Sequence, residues 1–146
     1  MDIDIKQIEE FSELWHVMMK KSKFHDIEDQ FPRIKGLTTT EISIISIVSK
    51  NPEVILGEIC AELDIPKSTL TSAIDRLEKR KYINRIISKR DRRSYGLELT
   101  EEGVLAQKEH IDFEYKVYGK LLNSLTSFEE RAELIRLLKT IVTNID

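Results

Sequence analysis

The stretch Arg85-Ile-Ile-Ser-Lys89-Arg90-Asp91-Arg92-Arg93-Ser-Tyr-Gly-Leu-Glu-Leu-Thr100 sets a strongly basic loop between two short β-type segments. After the loop, Tyr95, Leu97 and Leu99 alternate with Gly96 and Glu98, the period of a strand with one apolar face. Between the segments, Lys89 to Arg93 place four cations and one acid in five residues, a common hairpin-loop length. Such crowding repels itself and gains from a polyanion, so the chemistry expected at this tip is phosphate binding. Other chemistry finds few residues. His16, His25 and His110 are scattered with no metal-ligand spacing, and no metal or cofactor site is expected. Cys60 is the single cysteine, which excludes an internal disulfide; it is expected as an inert, buried thiol on the inner side of a short helix. No glycine-rich phosphate loop or nucleophile motif is present, so no enzyme is expected.

The charge distribution supports the same partner. The net charge of −3 conceals three regions. Residues 1–66 carry 7 cations and 13 anions, residues 67–99 carry 10 and 4, and residues 100–146 carry 6 and 9. A basic island inside an acidic chain is an electrostatic footprint for nucleic acid. With 146 residues, 40% apolar and 34% charged, the chain fits one globular domain. No apolar run approaches the roughly 18 to 20 residues that cross a bilayer, and the start Met1-Asp-Ile-Asp lacks a secretory pattern. A cytoplasmic protein without a membrane partner is expected.

Helices must hold the hairpin in place. Ile5, Ile8, Phe11, Trp15, Met18 and Met19 recur every three or four residues and predict an amphipathic helix of about five turns. After a break at Phe31-Pro32 and Gly36, Thr38 and Glu41 form a capping-box pattern ahead of Ile42, Ile45, Ile47 and Val48. That helix should end near Asn51-Pro52. Leu56–Leu63 predicts a short helix with Ile59, Cys60 and Leu63 inward, interrupted by Asp64-Ile65-Pro66. The next helix, from Lys67 to about Lys81, has Leu70, Ala73, Ile74 and Leu77 on one side and Ser68, Ser72, Asp75, Arg76 and Lys79 on the other. A short helix, a tight turn and a helix with a small, hydroxylated, then cationic outer face form a helix-turn-helix pattern. Thr100 is the expected cap of the next helix, which carries Val104, Ile111, Tyr115, Tyr118, Leu122 and Leu125. The last helix, capped by Thr126 or Ser127, carries Leu134, Leu138, Ile141 and Ile145. Both are apolar along their length and, with the first helix, predict a dimer. The fold class expected is mainly α with a small β-hairpin wing: a winged helix-turn-helix at 37–103, with dimerisation helices at 1–30 and 104–146.

In this order, Leu63-Asp-Ile-Pro-Lys-Ser-Thr-Leu-Thr, Asp75-Arg-Leu-Glu, Asp91-Arg-Arg and Leu99-Thr-Glu-Glu-Gly103 resemble the MarR family of winged-helix transcriptional regulators. The likeness runs from about Leu37 to Gly103. It implies a homodimer, acting as a repressor, on a pseudo-palindromic double-stranded DNA operator, with a small-molecule effector as a further partner. The helix from Lys67 would enter the major groove, presenting Lys67, Ser68, Thr69, Thr71, Ser72 and Arg76, and the wing would reach the minor groove. Arg93 matches the family's minor-groove arginine, and Lys89, Arg90 and Arg92 would meet phosphates. Asp91 matches the acid that holds the wing together, through an arginine such as Arg85 or Arg93. Asp64 and Lys81 stand where glycine is frequent in the family, Gly57 where a hydroxyl cap is usual, and Ser72 where a larger polar residue is common. Trp15, His16 and Met19 could line an effector pocket. The alternatives are a winged-helix module that binds an acidic protein partner and, further off, a small carboxylate enzyme.

Overall fold

The computed structural model describes residues 3–145. Among them the order is α1 (Ile5–Ser22), α2 (Phe24–Glu28), α3 (Thr39–Lys50), α4 (Leu56–Leu63), α5 (Lys67–Lys79), β1 (Ile83–Ile87), β2 (Tyr95–Leu99), α6 (Glu101–Asn123) and α7 (Phe128–Asn144). The chain forms two compact units, residues 28–112 and residues 1–27 with 113–146. No helix among the described residues is long and apolar enough to cross a membrane.

The 28–112 unit is the winged helix. Its core comes from one face of each helix: Ile44, Ile45 and Val48 of α3, Leu56 and Ile59 of α4, and Leu70, Ala73, Ile74 and Leu77 of α5. Ile83 and Leu97 close it from the hairpin. On α3 the buried residues are 41, 44, 45, 47 and 48, so the expected Ile45, Ile47 and Val48 are inward, Ile44 joins them, and the expected Ile42 lies only half-buried. α3 begins at the predicted capping box, in which Glu41 N–H donates to Thr38 Oγ1 (3.2 Å) and Thr38 N–H to Glu41 Oε2 (3.1 Å). α4 has the predicted bounds but a different cap. Ile55 is the N-cap, its N–H satisfied by Glu58 Oε2 at 3.1 Å, and Gly57 lies inside the first turn. On the same helix Ile59 is buried, whereas Cys60 and Leu63 are only half-buried.

Left-handed residues that are not glycine close α4 and follow α5, which itself starts at the extended N-cap Pro66. Asp64 has φ 50°, and Lys81, just past the helix, has φ 62°. With Lys81 so placed, Tyr82 N–H reaches the Leu77 carbonyl (3.0 Å) and Lys81 N–H the Glu78 carbonyl (2.9 Å), closing the helix end. The Tyr82 carbonyl then accepts from Thr100 N–H (3.0 Å), which joins the start of β1 to the end of β2. Thr100 is the cap expected for α6, its Oγ1 accepting from Gly103 N–H at 3.0 Å and donating to the Lys81 carbonyl at 2.6 Å. Gly103 is required at this junction, because a Cβ there would lie 2.0 Å from the Tyr82 carbonyl oxygen. The strands pair antiparallel in the register Ile83↔Leu99 to Ile87↔Tyr95, so the loop spans 88–94, wider at each end than the tip read from charge.

Residues 3–27 and 113–145 form the second unit. α1 is as predicted, but its C-cap Lys23 (φ 54°) turns the chain into the unpredicted α2. There Phe24 meets Phe113 edge to face, centroids 5.0 Å apart, and Lys120 Nζ donates to the carbonyls of Lys21 (3.1 Å) and Ser22 (3.3 Å). The cap of α7 is Ser127, with Glu130 completing a capping box. On α6 the buried row is Gly103, Ala106, Phe113 and Val117, while Val104, Ile111, Tyr115 and Tyr118 are exposed. α6 therefore has two apolar faces, and the one read from sequence is the unburied one.

Two substitutions at the α5–hairpin junction should have opposite signs. Lys81→Gly relieves a left-handed conformation and should stabilise by about 1 kcal/mol. Gly103→Ala forces the backbone apart and should destabilise by about 1 to 3 kcal/mol or more. Urea unfolding followed by circular dichroism checks both; a neutral Gly103→Ala would remove the steric account.

Candidate nucleic-acid interface

The burial of Leu70, Ala73, Ile74 and Leu77 fixes which side of α5 faces outward. Lys67, Ser68, Thr69, Ser72 and Arg76 are exposed there, and Thr71 is half-buried with its Oγ1 donating to the Lys67 carbonyl at 2.9 Å. No hydrogen bond among the described residues uses the hydroxyls of Ser68, Thr69 or Ser72. They are short donors and acceptors free for an external partner. Arg76 is not equally free. Its Nε donates to Oε1 of Glu41, a carboxylate buried at the start of α3, while about half of the arginine side chain stays accessible. The ion pair fixes the guanidinium to α3, leaving the remaining N–H groups as donors.

The hairpin is anchored at both ends by arginines that the sequence reading had assigned otherwise. Arg85 does not approach Asp91. It lies against α5, donating from Nη1 to Glu78 Oε1 (2.6 Å) and from Nη2 to Asp75, with its guanidinium 5.1 Å from the Tyr95 ring centroid. The Asp75 carboxylate, foremost among its neighbours, raises the Arg85 pKa further above its ordinary value. Arg90, read as a phosphate contact, reaches α4 instead: Nη1 donates to Glu58 Oε2 (2.9 Å) and to the Glu53 carbonyl (3.4 Å). Glu58 is thereby held below its ordinary pKa, first by the Ile55 N–H and then by Arg90.

The loop has its own scaffold. Buried Ser88 accepts at Oγ from the N–H groups of Arg90 (3.3 Å) and Asp91 (3.1 Å). Asp91 Oδ1 accepts from Arg93 N–H at 3.0 Å, and the Asp91 carbonyl from Ser94 N–H at 3.1 Å. Asp91 thus shapes the turn mainly through backbone groups. Its ion pair with Arg93 is long, 3.8 Å, and the Arg93 side chain is 97% exposed. Lys89 and Arg92 are also exposed, with no ion pair among the described residues. Three cations are therefore left outward on a fixed loop, beside the exposed start of α5.

Cys60, Lys67, Asp91 and Arg93 share the wall of a depression between α4, the start of α5 and the loop. The thiol is consequently more accessible than its predicted inward position suggested. Of the residues expected at an effector pocket, Trp15 stacks on Phe11 (centroids 6.0 Å), His16 Nδ1 lies 2.6 Å from the Ser12 carbonyl oxygen, and Met19 lines a cavity with Lys20, Lys23, Phe24, His25 and Asp26. No cluster of metal-ligating side chains occurs among the described residues. Glu41, Glu58, Asp75, Glu78 and Ser88 were not singled out as parts of the site. In sequence Glu41 reads as a helix cap and Asp75 and Glu78 as part of the Asp75-Arg-Leu-Glu pattern, none of which reveals an arginine partner.

A family model described as the MarR family matches residues 35–94. The HTH-type transcriptional repressor MdtR of Bacillus subtilis is 27% identical over 95 residues, 65% of this chain and 61% of that protein. The chain thus spans less than two thirds of that relative's length. The HTH-type transcriptional regulator BilQ of Clostridioides difficile is 28% identical over 101 residues, 68% of each chain. Among solved structures, Streptococcus pneumoniae FabT in complex with DNA superposes with a TM-score of 0.75 at 26% identity, covering 96% of both chains.

The anchoring pairs define a test in the protein alone. Arg85→Ala should lower stability by about 1 to 2 kcal/mol, combining partly exposed ion pairs with the lost Tyr95 contact. A double-mutant cycle with Glu78→Gln should show coupling well below the sum of the single effects. The depressed Glu58 pKa contributes stability present above the ordinary value of 4.5 and lost as pH falls through the lower, folded value. Glu58→Gln should remove that part of the acid sensitivity in pH-dependent thermal unfolding.

Proposed function

We propose that the chain is a MarR-family winged-helix protein and a cytoplasmic, sequence-specific transcriptional regulator that binds double-stranded DNA as a homodimer, a reading supported by the family-model match over residues 35–94 and by the likeness to MdtR and to DNA-bound FabT. The observation that carries this reading is the side-by-side exposure of an unpaired hydroxyl face on α5 and the outward cations Lys89 and Arg92, with Arg93 almost fully exposed and only loosely paired to Asp91. The α5 face, from Lys67 to Arg76, enters the major groove, where short hydroxyls and an arginine reach base edges and phosphates. Arg93 reaches the minor groove, Lys89 and Arg92 meet phosphates, and Arg90 serves as an anchor of the wing.

Dimerisation is supported by apolar surface that a monomer would leave in water. On α1, Ile5, Ile8, Phe11 and Leu14 are each more than half exposed. On α7, Leu134, Leu138 and Ile141 expose 38 to 50% of their surface, and Ile145 at its C-cap exposes 71%. Contiguous apolar rows of this extent mark association sites. We assign residues 1–30 and 104–146 to the dimer contact and 37–103 to DNA binding. A two-fold pair carries two winged helices, matched to a pseudo-palindrome whose half-sites lie about 34 Å or a multiple apart. The repressor role follows the relative named as a repressor. A small-molecule effector would occupy the cavity of about 510 Å³ that includes Met19, between α1 and α2.

Arg93→Ala should weaken binding to the DNA upstream of the chain's own coding region by about 1 to 3 kcal/mol and reduce the salt slope by about 1. Affinity and salt dependence equal to the unmodified protein would refute the role given to Arg93. Sedimentation at micromolar concentration should give a dimer; a monomer would count against the assembly.

A further inference from the structure

Ile87 is the most exposed of the large apolar side chains described, with 82% of its surface accessible. Within residues 28–103 no other described large apolar side chain is classed as exposed. It ends β1 and pairs with Tyr95 in the last rung before the loop. Alternation along the strands puts Ile83, Arg85 and Ile87 on one face with Leu99, Leu97 and Tyr95. α5 covers the near part of this face: Ile83 and Leu97 are buried, and Arg85 ties to Asp75 and Glu78. Ile87 lies one rung beyond that cover. Strand propensity alone does not require an apolar residue here, because threonine shares the β-branched preference and carries a polar group.

Its neighbourhood is built for an anionic, partly apolar partner. Ile87, Arg92, Arg93 and Tyr95 line a shallow open depression of about 400 Å³ on the wing. The walls of a DNA groove have that mixed character: deoxyribose rings present C–H groups, and phosphates flank them. We propose that Ile87 packs against a deoxyribose in the groove entered by the wing, while Arg92 and Arg93 hold the adjoining phosphate and groove floor. This rests on the DNA-binding reading above and adds an uncharged contact to it. The side chain stands on a strand face at the last rung before the loop, which suits contact with the sugar wall and does not place it at the tip as a wedge between bases.

The test separates apolar contact from charge. Duplexes selected from a random pool by the unmodified dimer are titrated with that protein, Ile87→Ser, Ile87→Val and Arg93→Ala over a range of salt. An apolar contact releases no counterion, so Ile87→Ser should bind about five- to tenfold more weakly at every salt concentration with an unchanged slope. Ile87→Val should recover most of the loss, and Arg93→Ala should flatten the slope. Thermal unfolding of both Ile87 variants should match the unmodified protein. Wild-type affinity in Ile87→Ser, or a loss accompanied by a changed slope, overturns the proposal while leaving the regulator reading intact. Failure of the unmodified protein to select any duplex removes both.

Discussion

The attachment of Arg85 to Asp75 and Glu78 is the interaction on which the candidate interface depends. Two acids on the outer half of α5 would repel a phosphate backbone if left alone. Arg85 neutralises charge there and, in the same contact, fixes the hairpin to the helix proposed to read DNA. The wing and α5 therefore cannot move independently without separating a bidentate arginine from two carboxylates. Tyr95 beneath the guanidinium adds a ring contact from the second strand, so both strands share the anchor. Because Arg85 is only partly exposed, water competes with the pair less than it does at a fully exposed surface site.

The basic island from 67 to 99 accordingly divides into structural and available charge. Arg76 is held by Glu41, Arg80 by the carbonyls of Arg33 and Lys35, Arg85 by α5, and Arg90 by Glu58 and the Glu53 carbonyl. Lys67, Lys79, Lys81, Lys89, Arg92 and Arg93 are exposed cations beyond those commitments. Counting charge in sequence thus identifies the partner class and overstates the number of contacts. Geometry supplies the correction, since an arginine of three methylenes reaches an acid one helix away as readily as it reaches solvent.

Where a residue's role was local, it was legible in the sequence. Thr38 with Glu41 located the start of α3, Thr100 the start of α6, and the spacing of Leu70, Ala73, Ile74 and Leu77 the buried face of α5. These rest on contacts three or four residues apart. Roles set by contacts distant in sequence were not legible. Arg85 acts through residues seven and ten positions before it, and Arg90 through one 32 before it. On α6, apolar residues occur on two faces, so periodicity alone could not tell Ala106, Phe113 and Val117 from the exposed row. Cys60 failed for a related reason: a helix of eight residues has too few turns to fix its inward face to within one position.

The turns on either side of α5 show how much strain this arrangement accepts. Asp64 before it and Lys81 after it both occupy the left-handed region, each at roughly 1 to 2 kcal/mol relative to an ordinary conformation. Such outliers persist only where surrounding contacts over-determine the backbone. Around Lys81 those contacts are explicit: the helix end closes on Leu77 and Glu78, the Lys81 carbonyl accepts from Thr100 Oγ1, and the next carbonyl accepts from Thr100 N–H while Gly103 packs against it. One residue's conformation therefore sets where α5 stops, where β1 begins and how closely α6 approaches. A helix free to gain or lose a turn at that end would carry Asp75 and Glu78 away from Arg85 and the wing out of line with the outer face of α5. The strain at Lys81 is the local counterpart of a register that the tertiary contacts hold fixed.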